Sequence, residues 1–209
     1  MRVLVVGDSC QDIFIYGDIE RISPEAPVPV FVPSHKEKND GMARNVSHNV
    51  ESLKMYIHTI TNKNGIVKKR YVDNRSGQMV LRVDEHDYCE RIPTKTLQGI
   101  TNNKFQYYGS GQDVKNIDAI IISDYCKGFL EESDIEHICK YNKNVFVDTK
   151  KKLGKWISDA DFIKIGFSIT YGYGTLFNKS DKSDYSFGLM PYISLEYSIV
   201  AKDNVSKWW

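Results

Sequence analysis

The sequence has little of what marks several function classes. Charge of one sign is not in excess: 28 Lys and Arg stand against 27 Asp and Glu, for a formal net charge of +1. No cationic surplus is present to hold a nucleic acid backbone, so no nucleic acid partner is expected. Long apolar runs are missing near the N-terminus, where Val3-Leu4-Val5-Val6 is closed two residues later by Asp8. That is too short for a signal-peptide core or a membrane helix, and no membrane partner is expected. Cysteine is sparse, with four in 209 residues (Cys10, Cys89, Cys126, Cys139) and no Cys-x-x-Cys pair. This reads as reduced thiols of a cytoplasmic protein rather than a disulfide scaffold. His86-Asp87-Tyr88-Cys89 brings two ligand types together, but two ligands do not make a site, so no metal site is expected there. The length suffices for one domain with room for a small appendage.

What is present is a series of apolar runs that end in acids. Arg2 to Gly7 is a β-branched run followed by Asp8, the pattern of a buried parallel strand. Ala119-Ile120-Ile121-Ile122-Ser123-Asp124 and Val145-Phe146-Val147-Asp148 repeat it, with helical spacing from Glu131 to Tyr141 between them, and Phe162 to Ile165 supplies a further strand. The pattern predicts an α/β fold, a parallel sheet with crossover helices. Ligands of open α/β sheets sit at the carboxyl ends of strands, which places Asp8 and Asp12 near the expected site. Three of the six prolines fall within Ser23–Pro29. They exclude a helix and a central strand there, so Ile13–Tyr16 and Val28–Val32 read as two edge-type strands joined by a stiff loop, a small β lid over about 13–32. Asp40 to Asn45 reads as a glycine turn leading into an amphipathic helix, and Met55–Ile60 as a strand. Lys69–Val72 and Gln78–Asp84 form a polar hairpin around Asp73–Gly77. Thr94–Asn116 has no clear period.

After Ile165 the texture changes. The last 44 residues hold 10 of the 25 aromatics and neither Cys nor His. Apolar side chains keep odd numbers from Phe167 to Tyr173 and again from Tyr185 to Ile199, around a polar turn at 178–184. This predicts an antiparallel β hairpin appended to the parallel sheet.

The front of the chain resembles a known family. Gly7-Asp8-x-x-x-Asp12, Tyr16-Gly17-Asp18, Arg21-Ile22-Ser23-Pro24-Glu25-Ala26-Pro27-Val28-Pro29-Val30 and Gly41-x-x-x-Asn45-Val46 are similar to the opening of PfkB/ribokinase-type sugar kinases. The likeness is greatest to the D-glycero-D-manno-heptose 7-phosphate kinase branch, the kinase half of the bifunctional ADP-heptose synthesis enzyme. Lys69-Arg70-Tyr71-Val72-Asp73-Asn74-Arg75, Gln78-Met79, Leu81-Arg82-Val83-Asp84-Glu85, Ser123-Asp124-Tyr125-x-Lys127-Gly128 and Val147-Asp148-x-Lys150 continue it in order. The resemblance covers residues 1 to about 165.

The resemblance implies a ribokinase-like domain that transfers the ATP γ-phosphoryl group to the anomeric hydroxyl of a sugar phosphate, with Mg2+ as partner ion, in the synthesis of the ADP-heptose precursor of lipopolysaccharide. It assigns substrate contacts to Asp12, Gly41, Asn45, Arg70, Gln78, Arg82 and Lys127, and nucleotide contacts to Asp148 and Lys150. Guanidinium forks suit phosphate oxygens, and an absent side chain at Gly41 lets a substrate approach the backbone. It also implies that the lid forms homodimer contacts. By residue type alone, Asp12 and Asn45 equally suit turn and cap chemistry, and Arg70, Arg82 and Lys150–Lys152 equally suit solvated faces.

Three departures shape the expectation. Asp40 stands where the family has the first of two glycines, adding a negative charge beside the sugar site. Gly166-Phe167-Ser168-Ile169 follows Ile165 where the family has Asn-x-x-Glu. The family's Gly-Ala-Gly-Asp motif, source of its catalytic base and anion hole, does not occur. No catalytic residue is therefore assigned, and the reading is a C-terminally truncated sugar kinase domain over 1–165, impaired in phosphoryl transfer, with an aromatic-rich tail of unrelated character over 166–209. The alternative is a non-catalytic sugar-phosphate binding or dimerisation module.

Overall fold

The computed structural model describes residues 1–102, 105–106, 113–114, 117–167, 172–177, 187–192 and 197–202. In chain order the elements are β1 (Arg2–Gly7), β2 (Ser9–Ile22), β3 (Pro29–Met42), α1 (Ala43–Ser52), β4 (Tyr56–Thr61), β5 (Ile66–Asp73), β6 (Met79–Glu85) and α2 (Thr94–Thr101). Two short strands, β7 (Phe105–Gln106) and β8 (Asp113–Val114), precede β9 (Ala119–Asp124), α3 (Glu132–Tyr141), β10 (Val145–Thr149) and β11 (Phe162–Phe167). Three more strands follow, β12 (Gly172–Phe177), β13 (Phe187–Tyr192) and β14 (Tyr197–Lys202).

The main sheet runs β14-β11-β10-β9-β1-β4, and its five strands from β11 to β4 are all parallel. The continuous apolar runs are explained by burial on both faces. In β1, Val3 and Val5 pack with Ala43, Val46 and Val50 of α1. Leu4 and Val6 point the other way, into a larger core with Ile120 and Ile122 of β9, Ile135 and Ile138 of α3 and Ile100 of α2. Helix α3 starts at a capping box in which Glu131 and Asp134 satisfy each other's backbone donors, and Arg91 clamps Asp134 through two bonds of 2.9 and 2.7 Å.

A second sheet, β3-β2-β5-β6, contains the segment 13–32 expected to form the lid, and the name lid is used for it below. Here the structure corrects the sequence reading. β2 is not an edge strand: it pairs antiparallel with β3 and parallel with β5. The prolines that suggested an edge lie in the β2–β3 connection and at the start of β3, which is the edge strand, so β2 keeps every N–H it needs. Both strands run 14 residues. The glycine turn expected at Asp40–Gly41 is also absent, because both residues lie in β3, and the chain turns instead at Met42 with φ 58°.

Beyond β11, β12 and β13 pair antiparallel as a separate two-stranded sheet, while β14 adds antiparallel to β11. The second apolar run is thus two strands with different partners. The turn expected at 178–184 lies outside the described residues. No helix among the described residues is long and apolar enough to cross a membrane.

Candidate functional site

The acids at the strand ends are committed to the architecture. Asp8 is fully buried just beyond β1, and its carboxylate accepts the N–H groups of Tyr125 (2.6 Å), Lys127 (3.3 Å) and Phe129 (3.2 Å). Its carbonyl accepts the Ala43 N–H at 2.9 Å, which satisfies the first donor of α1 where Met42 offers no side-chain cap. Burial pushes the Asp8 carboxyl above its ordinary range, and the three N–H donors pull against that shift. Gly7 lies so close to β9 that a Cβ there would stand 1.8 Å from the Ser123 carbonyl oxygen. Asp124, also buried, accepts Thr149 Oγ1 (2.6 Å) and Lys151 Nζ (2.8 and 3.0 Å). Together these contacts fix the 124–129 loop and the end of β10 above the sheet.

The inner face of the lid holds the charged cluster. Asp12 Oδ1 meets Arg70 Nη1 at 2.5 Å, each side chain 21% exposed. The Arg70 guanidinium lies 5.1 Å over the Phe14 ring, and Phe14 stacks in turn toward Tyr16 and His35. Arg82 stands directly opposite Arg70 across β5 and β6, and it grips Asp84 through Nε (2.7 Å) and Nη2 (2.8 Å). Gly41 borders this cluster from β3: a Cβ there would sit 2.5 Å from both Asp12 Oδ2 and Cys10 Sγ. Glycine at this position leaves Asp12 Oδ2, the oxygen not bonded to Arg70, uncovered on the β3 side. Lys127 reaches toward the cluster from the core, where its ammonium pairs with Asp87. Both ends of that pair act on the lid, Asp87 on Arg82 and Lys127 on Asp84.

Asp12, Gly41, Arg70, Arg82 and Lys127 are thus brought together. Asn45 lies exposed in the first turn of α1, two residues past the Ala43 N–H that Asp8 holds. Gln78 is not brought to the cluster. It sits in the β5–β6 turn, where its carbonyl accepts the Asp73 N–H, five residues along β5 from the level of Asp12 and about 16 Å away at strand rise. Asp148 pairs with Lys164 at 2.9 Å, and the exposed Lys150 ammonium stands 4.6 Å over the Tyr125 ring. Burial raises the Tyr125 hydroxyl above its ordinary range, and Asp148 from the end of β10 and Asp12 from β2 add to that shift. The added charge of Asp40 does not enter the lid cluster. Asp40 lies on the opposite strand face from Gly41, held by His48 Nε2 (3.0 Å) and Arg44 (3.6 Å) of α1. The His48 bond holds the Asp40 carboxyl below its ordinary range, and the same bond raises His48.

No family model matches the chain. Curated relatives do. The bifunctional protein HldE of Vibrio atlanticus is 33% identical over 177 residues, covering 71% of this chain and 35% of the relative. The D-beta-D-heptose 7-phosphate kinase of Bordetella bronchiseptica is 30% identical over 172 residues, covering 71% of this chain and 54% of the relative. The chain is a relative of the heptose 7-phosphate kinases. It spans about a third to a half of the length of these curated relatives. A carbohydrate kinase from Agrobacterium tumefaciens superposes with a TM-score of 0.45 at 12% identity, covering 77% of this chain and 59% of that one.

Two cations that the heptose kinase resemblance did not single out prove to be inside. Lys151, not its neighbour Lys150, makes the buried pair with Asp124. Lys68 is 9% exposed, whereas Lys69 beside it faces outward and pairs with Glu85 at 2.7 Å. The available signal was strand alternation: once Arg70 is placed on the inner face, residue 68 shares it and residue 69 does not.

Proposed function

We propose that this chain binds a sugar phosphate as the acceptor-binding part of an ATP-dependent sugar kinase of the heptose 7-phosphate type, in cytoplasmic ADP-heptose precursor synthesis. The observation that carries the reading is the Asp12–Arg70 pair beside Gly41, with Asp12 on the strand that continues directly from the carboxyl end of β1. A carboxylate at this place accepts sugar hydroxyls, and the cationic side chains around it suit an anionic group on the same ligand. In such a transfer the anomeric oxygen bonds to the γ-phosphorus of ATP and gives up its proton as ADP leaves. Lys150 is the exposed cation at the sheet end suited to an ATP phosphate, with Asp148 beside it, and Mg2+ would accompany the nucleotide. The Gly-Ala-Gly-Asp source of the base does not occur in these 209 residues, so the chain by itself contributes acceptor positioning rather than turnover.

Calorimetry with heptose 7-phosphate checks this. Binding is expected in the micromolar to millimolar range, weakened about tenfold or more by Asp12→Ala and by Asn45→Ala, a loss of about 1.4 kcal/mol each. Coupled detection of ADP is expected to stay at background. Absence of binding overturns the reading, and turnover above background overturns the acceptor-only part of it.

We also propose that the lid pairs two copies of the chain. The sheet exposes Ile22, Val28 and Val32 around β2 and β3 and Met79, Val80 and Leu81 on β6. Sedimentation velocity is expected to show a dimer that Val32→Glu with Leu81→Glu converts to monomer. A monomeric wild type removes this proposal.

A further inference from the structure

Lys68 is the only lysine or arginine among the described residues that ranks with the buried ones, at 9% exposure. The register of the lid sets it opposite Asp12 of β2 and Asp84 of β6. Neither carboxylate is bonded to it. Asp12 is taken by Arg70 at 2.5 Å, and Asp84 is taken by the Arg82 fork at 2.7 and 2.8 Å. Among the described residues the Lys68 side chain has no hydrogen bond and no ion pair. Its influence on Asp84 and on the Cys10 thiol is exerted at longer range.

A largely buried lysine whose ammonium makes no hydrogen bond and no ion pair keeps its three N–H donors free for a ligand acceptor. On the same face both neighbouring carboxylates are already bonded to arginines, Asp12 to Arg70 and Asp84 to Arg82, and the exposed Glu37 lies one pair further along, opposite Phe14. The ammonium also remains reachable. The fully enclosed polar side-chain atoms lacking a partner are Ser9 Oγ and Ser123 Oγ, and Lys68 Nζ is not one of them.

We infer that Lys68 seats the anionic group of the ligand, a phosphate monoester, in the inner face of the lid between the two engaged carboxylates. The inference rests on the sugar-phosphate reading and assigns the recognition of the phosphate to a residue outside the arginines. Arg70 and Arg82, each held by its own carboxylate, flank the seat rather than form it.

The test compares the wild-type chain with Lys68→Met by thermal unfolding, in inorganic phosphate and in chloride of equal ionic strength, and by calorimetry with heptose 7-phosphate and with unphosphorylated heptose. The Met variant is expected to melt within about 2–4 °C of wild type in chloride, because the lysine it replaces makes no hydrogen bond and no ion pair. Phosphate is expected to raise the wild-type midpoint and leave that of the variant unmoved. Affinity for heptose 7-phosphate is expected to fall at least tenfold in the variant, with binding of unphosphorylated heptose unchanged. Lys68→Gln carries the same comparison if the Met variant does not fold. A phosphate shift that persists in the variant overturns the seat, as does a wild type that phosphate does not stabilise. Equal heptose 7-phosphate binding by variant and wild type overturns the seat and leaves the acceptor reading standing. Stabilisation by inorganic phosphate through Lys68, without heptose 7-phosphate binding, does the reverse.

Discussion

The Asp8→Ala chain is expected to lose at least about 3 kcal/mol of stability, read as a urea midpoint far below that of wild type. The reason is the number of groups that depend on one carboxylate. Three backbone N–H groups of the 125–129 loop end on it inside the protein, and each one left without an acceptor costs about 1–3 kcal/mol. Total stability of a chain this size is about 5–15 kcal/mol, so the loss removes a large share of it. Asp8→Asn keeps one carbonyl acceptor and is expected to fall between the two. The pH profile separates the contributions. Burial raises the folded-state carboxyl above its ordinary 3.8. A raised carboxyl favours the folded state fully below its unfolded value, and that contribution disappears as pH rises through the folded value. Wild type is therefore expected to lose stability from this group as pH rises out of the acid range, and Asp8→Asn to lack that slope. A profile with the same slope in both chains would show that Asp8 is not the group responsible.

The same residue shows what a sequence reading can and cannot recover. The β1, β9 and β10 strands were legible because a strand covered on both faces loses its alternation and reads as an unbroken apolar run, ended by an acid where the chain leaves the sheet. The pattern placed Asp8 at the carboxyl end of β1 but not its duty, since a buried carboxylate that organises a loop and one that grips a ligand have the same local sequence. Helix α2 was not legible because Thr94, Thr96, Gly99 and Thr101 are poor helix formers and its apolar content is Leu97 and Ile100, so its form follows from packing against the core. β2 was misplaced for the opposite reason. Prolines near a strand carry a strong local message, and here the message belonged to β3. In the site, Asp12, Gly41 and Arg70 were found through ordered motifs, while Lys68 and Lys151 were hidden in lysine runs whose composition suggests solvent. Only the parity of the strand, or the fold of the chain after β10, separates the inner lysine from the outer one.

Lys151 supplies the second large effect. Lys151→Met is expected to lower stability by about 3–5 kcal/mol, because it leaves the buried Asp124 carboxylate without its cation. Thr149 Oγ1 and the Cys126 N–H still donate to Asp124, at 2.6 and 3.2 Å, but a hydroxyl and one peptide dipole do not replace an ammonium beside a buried carboxylate. The exposed neighbour provides the control: Lys150→Met is expected to change stability by less than about 0.5 kcal/mol, as for surface positions generally. The double variant Asp124→Asn with Lys151→Met is expected to recover most of the loss, since a neutral amide keeps the Thr149 bond and no charge remains stranded. Urea unfolding of the four chains forms a cycle, and a coupling near zero would show that the pair acts as two separate groups. A large coupling has a functional corollary. Asp124 anchors both the loop that carries Lys127 and the turn that carries Lys150, so the single Lys151 variant is expected to weaken sugar-phosphate binding and the double variant to restore it.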